Sequence, residues 1–152
     1  MRAWMLLPLV FTMAAGAEEK EVGHVNTAAT NLGLTRSHQV VVQRFDDPKA
    51  EGVTCWLSHA RTGGVRGMVG VAEDPSRFAI DCRATGPVRL ADSARRGDRG
   101  ETVFERDTSL FFKETQVTRF VDEERNTLVY LAWSTRLIEG SPQNAISVVP
   151  LR

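Results

Sequence analysis

Two short stretches, VTCWLS at residues 53–58 and RFAIDCR at residues 77–83, carry the clearest strand pattern in the sequence. In each stretch, apolar residues and a cysteine recur at every second position. A period of two is the signature of a β-strand that buries one face. The two stretches therefore predict two strands, each of which directs its cysteine toward the core. The residues predicted to face the core are Val53, Cys55, Leu57, Phe78, Ile80 and Cys82.

The N-terminal segment, residues 1–17, has the pattern of an export signal. Arg2 gives it a positive start, Trp4–Met13 is almost wholly apolar, and Ala15–Ala17 supplies the small residues that a signal peptidase reads. The apolar run is shorter than the about 20 residues that a membrane-spanning helix needs. We therefore expect cleavage of the signal, one domain over residues 18–152, and no stable membrane insertion after cleavage.

The composition and charge of the chain are those of an ordinary globular domain. The chain has 19 basic and 19 acidic residues, 42% hydrophobic residues and 25% charged ones, as in ordinary globular domains. This near-neutral balance argues against binding to nucleic acid. Cys55 and Cys82 are the two cysteines, and in an exported chain they most simply pair. We therefore expect one structural disulfide.

The rest of the chain predicts a mainly β fold. Short runs rich in Val, Phe, Thr and Tyr alternate with Gly and Pro turns, which favours an antiparallel sandwich or a barrel-like single domain. DEERN at 122–126 predicts a hairpin loop. The helical spacing of Val25, Ala28, Ala29 and Leu32 predicts one short helix, and a second is expected over 71–77. Strands are predicted over 38–45, 53–58, 77–83, 102–106, 109–114, 115–121 and 127–134, with a last one ending near 150.

A glycine-rich turn after the first quoted strand is a candidate anion site. Backbone N–H groups at Thr62, Gly63 and Gly64 can converge on an anion, and Arg61 and Arg66 flank them. The pattern lacks the Gly-Lys-Ser/Thr ending of a phosphate-binding loop. The alternative is an exposed, charged turn inside the disulfide loop.

Acidic residues form a second set of candidates. Asp46 and Asp47 follow a strand, and Glu73 begins a similar acidic turn. Paired carboxylates bind Ca²⁺ or act in acid–base chemistry, here with His59 or Arg61 nearby. The alternative is that these side chains bond the turn backbone and end the strand.

Other catalytic and metal-binding patterns are absent from the sequence. His24, His38 and His59 have no metal-ligand spacing, and neither a CxxC nor a GxSxG motif occurs. We therefore predict no metal, no cofactor and no assigned catalytic residue.

Long matching strings give the chain a family resemblance. They include FDDP at 45–48, GVTCWLSHARTGG at 52–64, GVAEDPSRFAIDC at 70–82, TSLFFK at 108–113 and EGSPQNAISVVP at 139–150. In these strings the chain resembles the CreA family, small exported proteins of Gram-negative bacteria. The resemblance implies a periplasmic location, a Cys55–Cys82 pair and a CreA-like domain, but it brings no activity.

The functional hypothesis is a non-enzymatic accessory module of the cell envelope. It would bind an unknown small ligand or an envelope protein through its polar turns. The alternative is an enzyme with an unfamiliar acid–base site that uses Asp46, Asp47 or Glu73. The candidate ligand-binding residues are Asp46, Asp47, Arg61, Thr62, Gly63, Gly64, Arg66 and Glu73.

Overall fold

The computed structural model describes residues 18–28, 38–62, 77–95, 99–109, 112–138 and 141–151. Over these residues the chain forms long strands and one short helix, which confirms the mainly β prediction. The strands are β1 Glu19–Ala28, β2 His38–Asp46, β3 Ala50–Thr62, β4 Phe78–Leu90, β5 Glu101–Ser109, β6 Phe112–Asp122, β7 Thr127–Ile138 and β8 Ser141–Pro150, and the helix is α1 Asp92–Arg95.

The strands form two antiparallel sheets from the two halves of the chain. Sheet A has the order β1-β2-β3-β4 and sheet B the order β5-β6-β7-β8, so every strand pairs with its neighbour in sequence. The sheets meet along β4 and β8. There the backbone N–H of Cys82 donates a hydrogen bond to the Ser147 hydroxyl at 2.7 Å.

The core fills the space between the two sheets because alternate residues of each strand point inward. Phe45 of sheet A stacks on Phe104 of sheet B, with ring centroids 4.4 Å apart. Burying a large apolar side chain of this kind contributes about 1.5–3 kcal/mol. The core comprises Phe45, Ala50, Val53, Cys55, Leu57, Phe78, Cys82, Val103, Phe104, Val117, Leu128, Tyr130, Ala132, Val149 and Leu151.

The disulfide prediction is confirmed. Cys55 of β3 lies directly opposite Cys82 of β4 in the strand register, and their sulfur atoms are bonded. Both cysteines are buried in the core, as their alternation with apolar neighbours predicts.

The helix prediction is wrong over Val25–Ala28, which belongs to β1. Backbone pairing with β2 places Val25 opposite Val40 and overrides the helical spacing. Residues 29–32 and most of the second predicted helix, 71–76, lie outside the described residues. Helix α1 instead begins at Asp92, next to the charged connection between the two sheets.

The DEERN segment forms the turn between β6 and β7, as predicted. Asn126 adopts a φ of 50°, and its N–H donates to the Glu123 carbonyl at 3.3 Å. Within the part of the chain that the structure describes, no helix is long and apolar enough to cross a membrane.

Candidate functional site

The side chains of Asp46 and Asp47 point in opposite directions at the start of the turn that joins β2 to β3. Successive side chains of an extended chain point in opposite directions, so two adjacent carboxylates at a strand end separate. Asp46 faces solvent, whereas the side chain of Asp47 is fully buried. The sequence pair is therefore two different features in the structure.

Asp46 borders an open cleft of about 390 Å³. The Thr54 hydroxyl donates a hydrogen bond to the Asp46 carboxylate at 2.6 Å, and the Thr54 and Thr85 hydroxyl oxygens are 3.1 Å apart. This chain of hydroxyl groups orients the carboxylate at the cleft. The lining residues are Asp46, Asp47, Pro48, Glu51, Gly52, Val53, Thr54 and Thr85.

Hydrogen-bond acceptors dominate the polar groups of this cleft. The Thr54 proton is committed to Asp46, and the Thr85 hydroxyl lies 3.4 Å from the Gly52 carbonyl oxygen. The Asp46 and Glu51 carboxylates add further acceptor oxygens; one Asp46 oxygen accepts from Thr54, and Glu51 is paired with Arg89 at 3.5 Å. A ligand that donates hydrogen bonds, through hydroxyl or ammonium groups, suits these acceptors.

Gly52 allows the floor of the cleft to form. Its φ is +80°, and an added Cβ would lie 2.4 Å from the Pro87 carbonyl oxygen. A larger residue would therefore force β3 away from β4 at this point. The Gly86-Pro87 segment passes close to β3 at the same place, where the β3–β4 register shifts.

The buried Asp47 accepts four hydrogen bonds. Its Oδ1 accepts from the backbone N–H of Lys49 at 2.8 Å, from that of Ala50 at 3.0 Å, and from the Arg119 guanidinium. Its Oδ2 accepts from the Tyr130 hydroxyl at 2.8 Å. Burial and the adjacent Asp47 carboxylate raise the pKa of Tyr130 well above its usual range, so this hydroxyl stays protonated and donates.

A second carboxylate completes the pairing of Arg119. Arg119 Nη2 donates to Glu101 at 2.6 Å, and the Lys49 ammonium also contacts Glu101. A cavity of about 240 Å³ lies beside these three side chains. The group holds two cations and, with Asp47, two anions, so its charges balance internally.

The Asp47 network joins the two sheets. Asp47 and Lys49 belong to the turn of sheet A, whereas Arg119 lies on β6 and Tyr130 on β7 of sheet B. Since both oxygens of Asp47 accept hydrogen bonds from buried groups, its carboxylate holds the turn in place. Its fixed backbone positions the neighbouring Asp46 at the cleft.

Arg61 lies at the opposite end of β3. Its guanidinium donates to the Gln39 side-chain oxygen at 2.8 Å and 3.1 Å and to Glu21 at 2.9 Å. The hydrogen bonds from Arg61 and His24 lower the pKa of Glu21. The guanidinium is thus already engaged by groups of β1 and β2.

His59 is buried at the same end, two residues before Arg61. Its Nε2 lies 2.7 Å from the Gln43 side-chain oxygen, and its Nδ1 lies 3.0 Å from the Ala60 carbonyl oxygen. Burial lowers the pKa of His59 to about 4, against the opposing effect of the Ala60 hydrogen bond. The ring is therefore neutral at pH 7.

Among the described residues, the two groups of predicted site residues, Asp46–Asp47 and Arg61, lie far apart. Asp46 lies opposite Thr54 in the register, and Arg61 lies seven residues further along β3, about 23 Å away at about 3.3 Å per residue. His59 lies five residues after Thr54 on β3, or about 17 Å from it. Thr62 ends β3, and only its backbone is described. Gly63, Gly64, Arg66 and Glu73 lie outside the described residues.

A sequence model described as CreA protein matches residues 22–152. The chain belongs to the CreA family. It is 48% identical over 136 residues to Protein CreA of Escherichia coli strain K12, covering 89% of this chain and 85% of that protein. Proteins of the same name from E. coli O6:H1 and O157:H7 match with the same identity and coverage. No solved structure matches.

The family assignment confirms the resemblance inferred from the sequence strings. The relatives' name, Protein CreA, states no activity, substrate or partner. Among the described residues of this CreA-family chain, no group of three or more His, Cys, Asp or Glu side chains could hold a metal ion.

Sequence reasoning missed the partners of Asp47 in this CreA-family chain. Lys49, Glu101, Arg119 and Tyr130 were not among the candidates. The alternation along β6 could have identified one of them, because Val117 and Arg119 are two residues apart and therefore point to the same, buried face of the strand. An arginine on a core-facing position needs a buried carboxylate, and that requirement points to a partner elsewhere in the chain.

Proposed function

We propose that this CreA-family chain is an exported accessory protein of the cell envelope that binds a small, donor-rich ligand in the Asp46 cleft. The observation that carries the proposal is the lining of that cleft, in which two carboxylates, a backbone carbonyl and two threonine hydroxyls face a ligand-sized opening. A saccharide, an amino sugar or an amine-bearing peptide fragment has the matching donors.

Preorganisation of the cleft supports a binding role. Asp46 is oriented by Thr54, and the adjacent Asp47 is fixed by its buried partners. A carboxylate held in place before the ligand arrives loses less conformational entropy on binding. Ligand exchange at this cleft requires no rearrangement of the core.

The N-terminal sequence supports the proposed export to the periplasm. The export signal over residues 1–17 and the disulfide between Cys55 and Cys82 both suit the oxidising periplasm. Expression of the full chain in a Gram-negative host, followed by fractionation and N-terminal sequencing, tests this part. We expect periplasmic protein that begins at Glu18, and cytoplasmic protein that begins at Met1 would contradict it.

A thermal-shift screen of the oxidised chain tests the ligand site. The probes are glucosamine, N-acetylglucosamine, muramyl peptides and spermidine, with inorganic phosphate and citrate as anions that the cleft should exclude. A ligand at 100 times its dissociation constant adds about 2.7 kcal/mol, which raises Tm by several degrees. We expect a shift with at least one donor-rich probe and none with the anions.

Two variants assign such a shift to the cleft. Asp46→Asn keeps the shape of the side chain, removes its charge and should abolish the shift. Asp81→Asn is the matched control, because Asp81 is an exposed carboxylate on the same sheet and lies away from the cleft. A shift that survives Asp46→Asn, or that appears with phosphate and depends on Arg61, would overturn the proposal.

A further inference from the structure

The outer face of sheet A carries Trp56 beside the Asp46 cleft. Cys55 and Leu57 of β3 are buried in the core, so Trp56 between them points away from it. Thr54, which lines the cleft, is two residues earlier on the same face of the strand, about 6.6 Å away along β3. Trp56 is half-buried and therefore keeps part of its ring open to solvent at the margin of the cleft.

Hydrogen-bond donors surround this ring and are not used within the described part of the chain. No described group accepts from the Trp56 indole N–H. Arg44 lies directly opposite Trp56 on β2 and is exposed, and no described carboxylate pairs with its guanidinium. A guanidinium has five N–H donors and no acceptor. On the other side, Asp81 of β4 is already paired with Arg83 at 2.8 Å, so the free polar groups beside the ring are donors.

The cleft and the Trp56 region offer opposite hydrogen-bonding groups. The Asp46 carboxylate is an acceptor, whereas Trp56 and Arg44 supply N–H donors. Asp46 and Arg44 are two residues apart on the same face of β2, about 6.6 Å along the strand. A polyamine suits Asp46 but meets the positive charge of Arg44, and an anion suits Arg44 but meets the negative charge of Asp46. Uncharged hydroxyl groups, which both donate and accept, suit both regions.

The surface beyond Trp56 leaves room for a flat ligand. The next row of the outer face holds only short side chains, those of Gly23, Val42, Ser58 and Ala79. An added Cβ at Gly23 would meet nothing within 4 Å. A pyranose presents a face of C–H groups to an aromatic ring and hydroxyl groups at its edge. This arrangement matches an indole, which has an apolar body and a polar N–H.

We propose that Trp56 and the Asp46 cleft together bind an oligosaccharide, with one pyranose stacked on Trp56 and hydroxyl groups of the next ring in the cleft. Adjacent rings of a saccharide chain can span the separation of about 6.6 Å between the two regions. Because this site includes the cleft, it rests on the proposed function and narrows its ligand from donor-rich compounds in general to saccharide chains. Trp56 and Arg44 are the residues that select the saccharide.

Fluorescence titration of the oxidised chain with chitotriose and cellotriose tests the saccharide site. Trp4→Phe and Trp133→Phe leave Trp56 as the only tryptophan of the chain. We expect at least one trisaccharide to move the Trp56 emission to shorter wavelength in a saturable way, because a stacked pyranose removes water from the ring. That trisaccharide should bind about tenfold more tightly than its monosaccharide, since only the longer ligand contacts both regions.

Two tryptophan variants assign the binding to Trp56. Trp56→Leu should weaken the trisaccharide about tenfold in calorimetry, to the affinity of the monosaccharide. Trp133→Leu is the matched control, because Trp133 is also a half-buried tryptophan on the outer face of an inner strand, β7 of sheet B. Its substitution should leave trisaccharide binding unchanged. Circular dichroism and Tm of both variants show whether a loss of binding is a loss of folding.

The outcomes separate this site from the cleft alone. Binding of spermidine that depends on Asp46, without binding of either trisaccharide, would keep the cleft as a ligand site and overturn the saccharide assignment. Tighter binding of trialanine, a zwitterion, or equal losses in Trp56→Leu and Trp133→Leu would overturn it as well. Trisaccharide binding that depends on Trp56 but survives Asp46→Asn would instead contradict the proposed cleft. No binding of any probe would contradict both proposals.

Discussion

The two ends of the space between the sheets bury polar groups in different ways. At one end, Asp47 and Arg119 are buried as ions, and their charges are paired across the sheets. At the other end, His59 is buried as a neutral ring beside Gln43. The Asp47 end satisfies its buried groups through paired charges, whereas the neutral His59 ring has one N–H and donates to only one of the two oxygens that face its nitrogens.

This difference sets what each end responds to. A paired buried ion fails when its partner is removed, because the remaining charge loses its solvation. A neutral buried histidine fails when acid charges it, because the charged ring then occupies an apolar site. The Asp47 end should therefore be sensitive to mutation and the His59 end to pH.

Removal of Asp47 should have the largest effect. Asp47→Ala leaves the Arg119 guanidinium buried with only Glu101 as a counter-ion, and it releases the N–H groups of Lys49 and Ala50. We expect a loss of about 3–5 kcal/mol in the free energy of unfolding, measured by urea denaturation. Arg119→Met combined with Asp47→Leu should recover part of that loss, and an Asp47→Ala chain of native stability would show that the pair is not needed.

Acidification should destabilise the chain through His59. Its pKa is about 4 in the folded protein and near 6.5 when unfolded, so the unfolded chain binds more protons between these values. Stability is therefore full above pH 6.5, is lost as pH falls toward 4, and is lower by about 2 kcal/mol at pH 5.

Denaturation at pH 7.5 and pH 5 measures this loss. Other groups also titrate in this range, so the informative quantity is the difference between the native chain and His59→Gln. The variant should lose less stability than the native chain on acidification. Equal losses in the two chains would mean that His59 is not the group responsible.

Tyr130→Phe should cost less than either of these changes. It removes one donor from Asp47 Oδ2 while the salt bridge to Arg119 remains. Hydrogen bonds to charged groups are worth about 1.5–3 kcal/mol, and we expect a loss at the low end because the phenyl ring still fills the core. Urea denaturation of the variant checks this value, and a loss as large as that of Asp47→Ala would place the tyrosine, not the arginine, at the centre of the network.

Asp46→Asn should have the smallest effect on stability. Its side chain faces the cleft, and the amide oxygen still accepts from Thr54. We expect the free energy of unfolding to change by less than about 0.5 kcal/mol, as for surface substitutions generally. Beside Asp47→Ala, this variant tests whether two adjacent carboxylates really differ in role, and similar losses from both would contradict the separation.

Local patterns predicted the strands and the disulfide because both depend on neighbours in the sequence. The alternation around Cys55 and Cys82 fixed which way each cysteine points. The role of Asp47 was harder to predict, because a carboxylate directly after a strand fits both a turn residue that bonds the backbone and a ligand-binding residue. Its actual partners, Arg119 and Tyr130, are 72 and 83 residues away in the sequence, and a local sequence pattern cannot indicate contacts between residues so far apart.

The helical spacing at Val25 failed for a related reason. A segment at the edge of a sheet takes its conformation from the strand beside it, and here β2 provides that strand. The proposed ligand cleft likewise depends on β3 meeting β4 at Gly52, which the sequence shows only as one more glycine. Residues that act through tertiary neighbours were therefore the ones that sequence analysis missed.

The division of the chain into two consecutive sheets has a consequence for the order of folding. Every strand pairs with the next one along the chain, so sheet A is complete once residue 90 has emerged. The Cys55–Cys82 bond closes inside that first half, and its oxidation needs nothing from β5 to β8. The Asp47–Arg119 contact forms only when the second sheet arrives. When the chain emerges with its N-terminus first, the disulfide can therefore form in sheet A before sheet B packs against it.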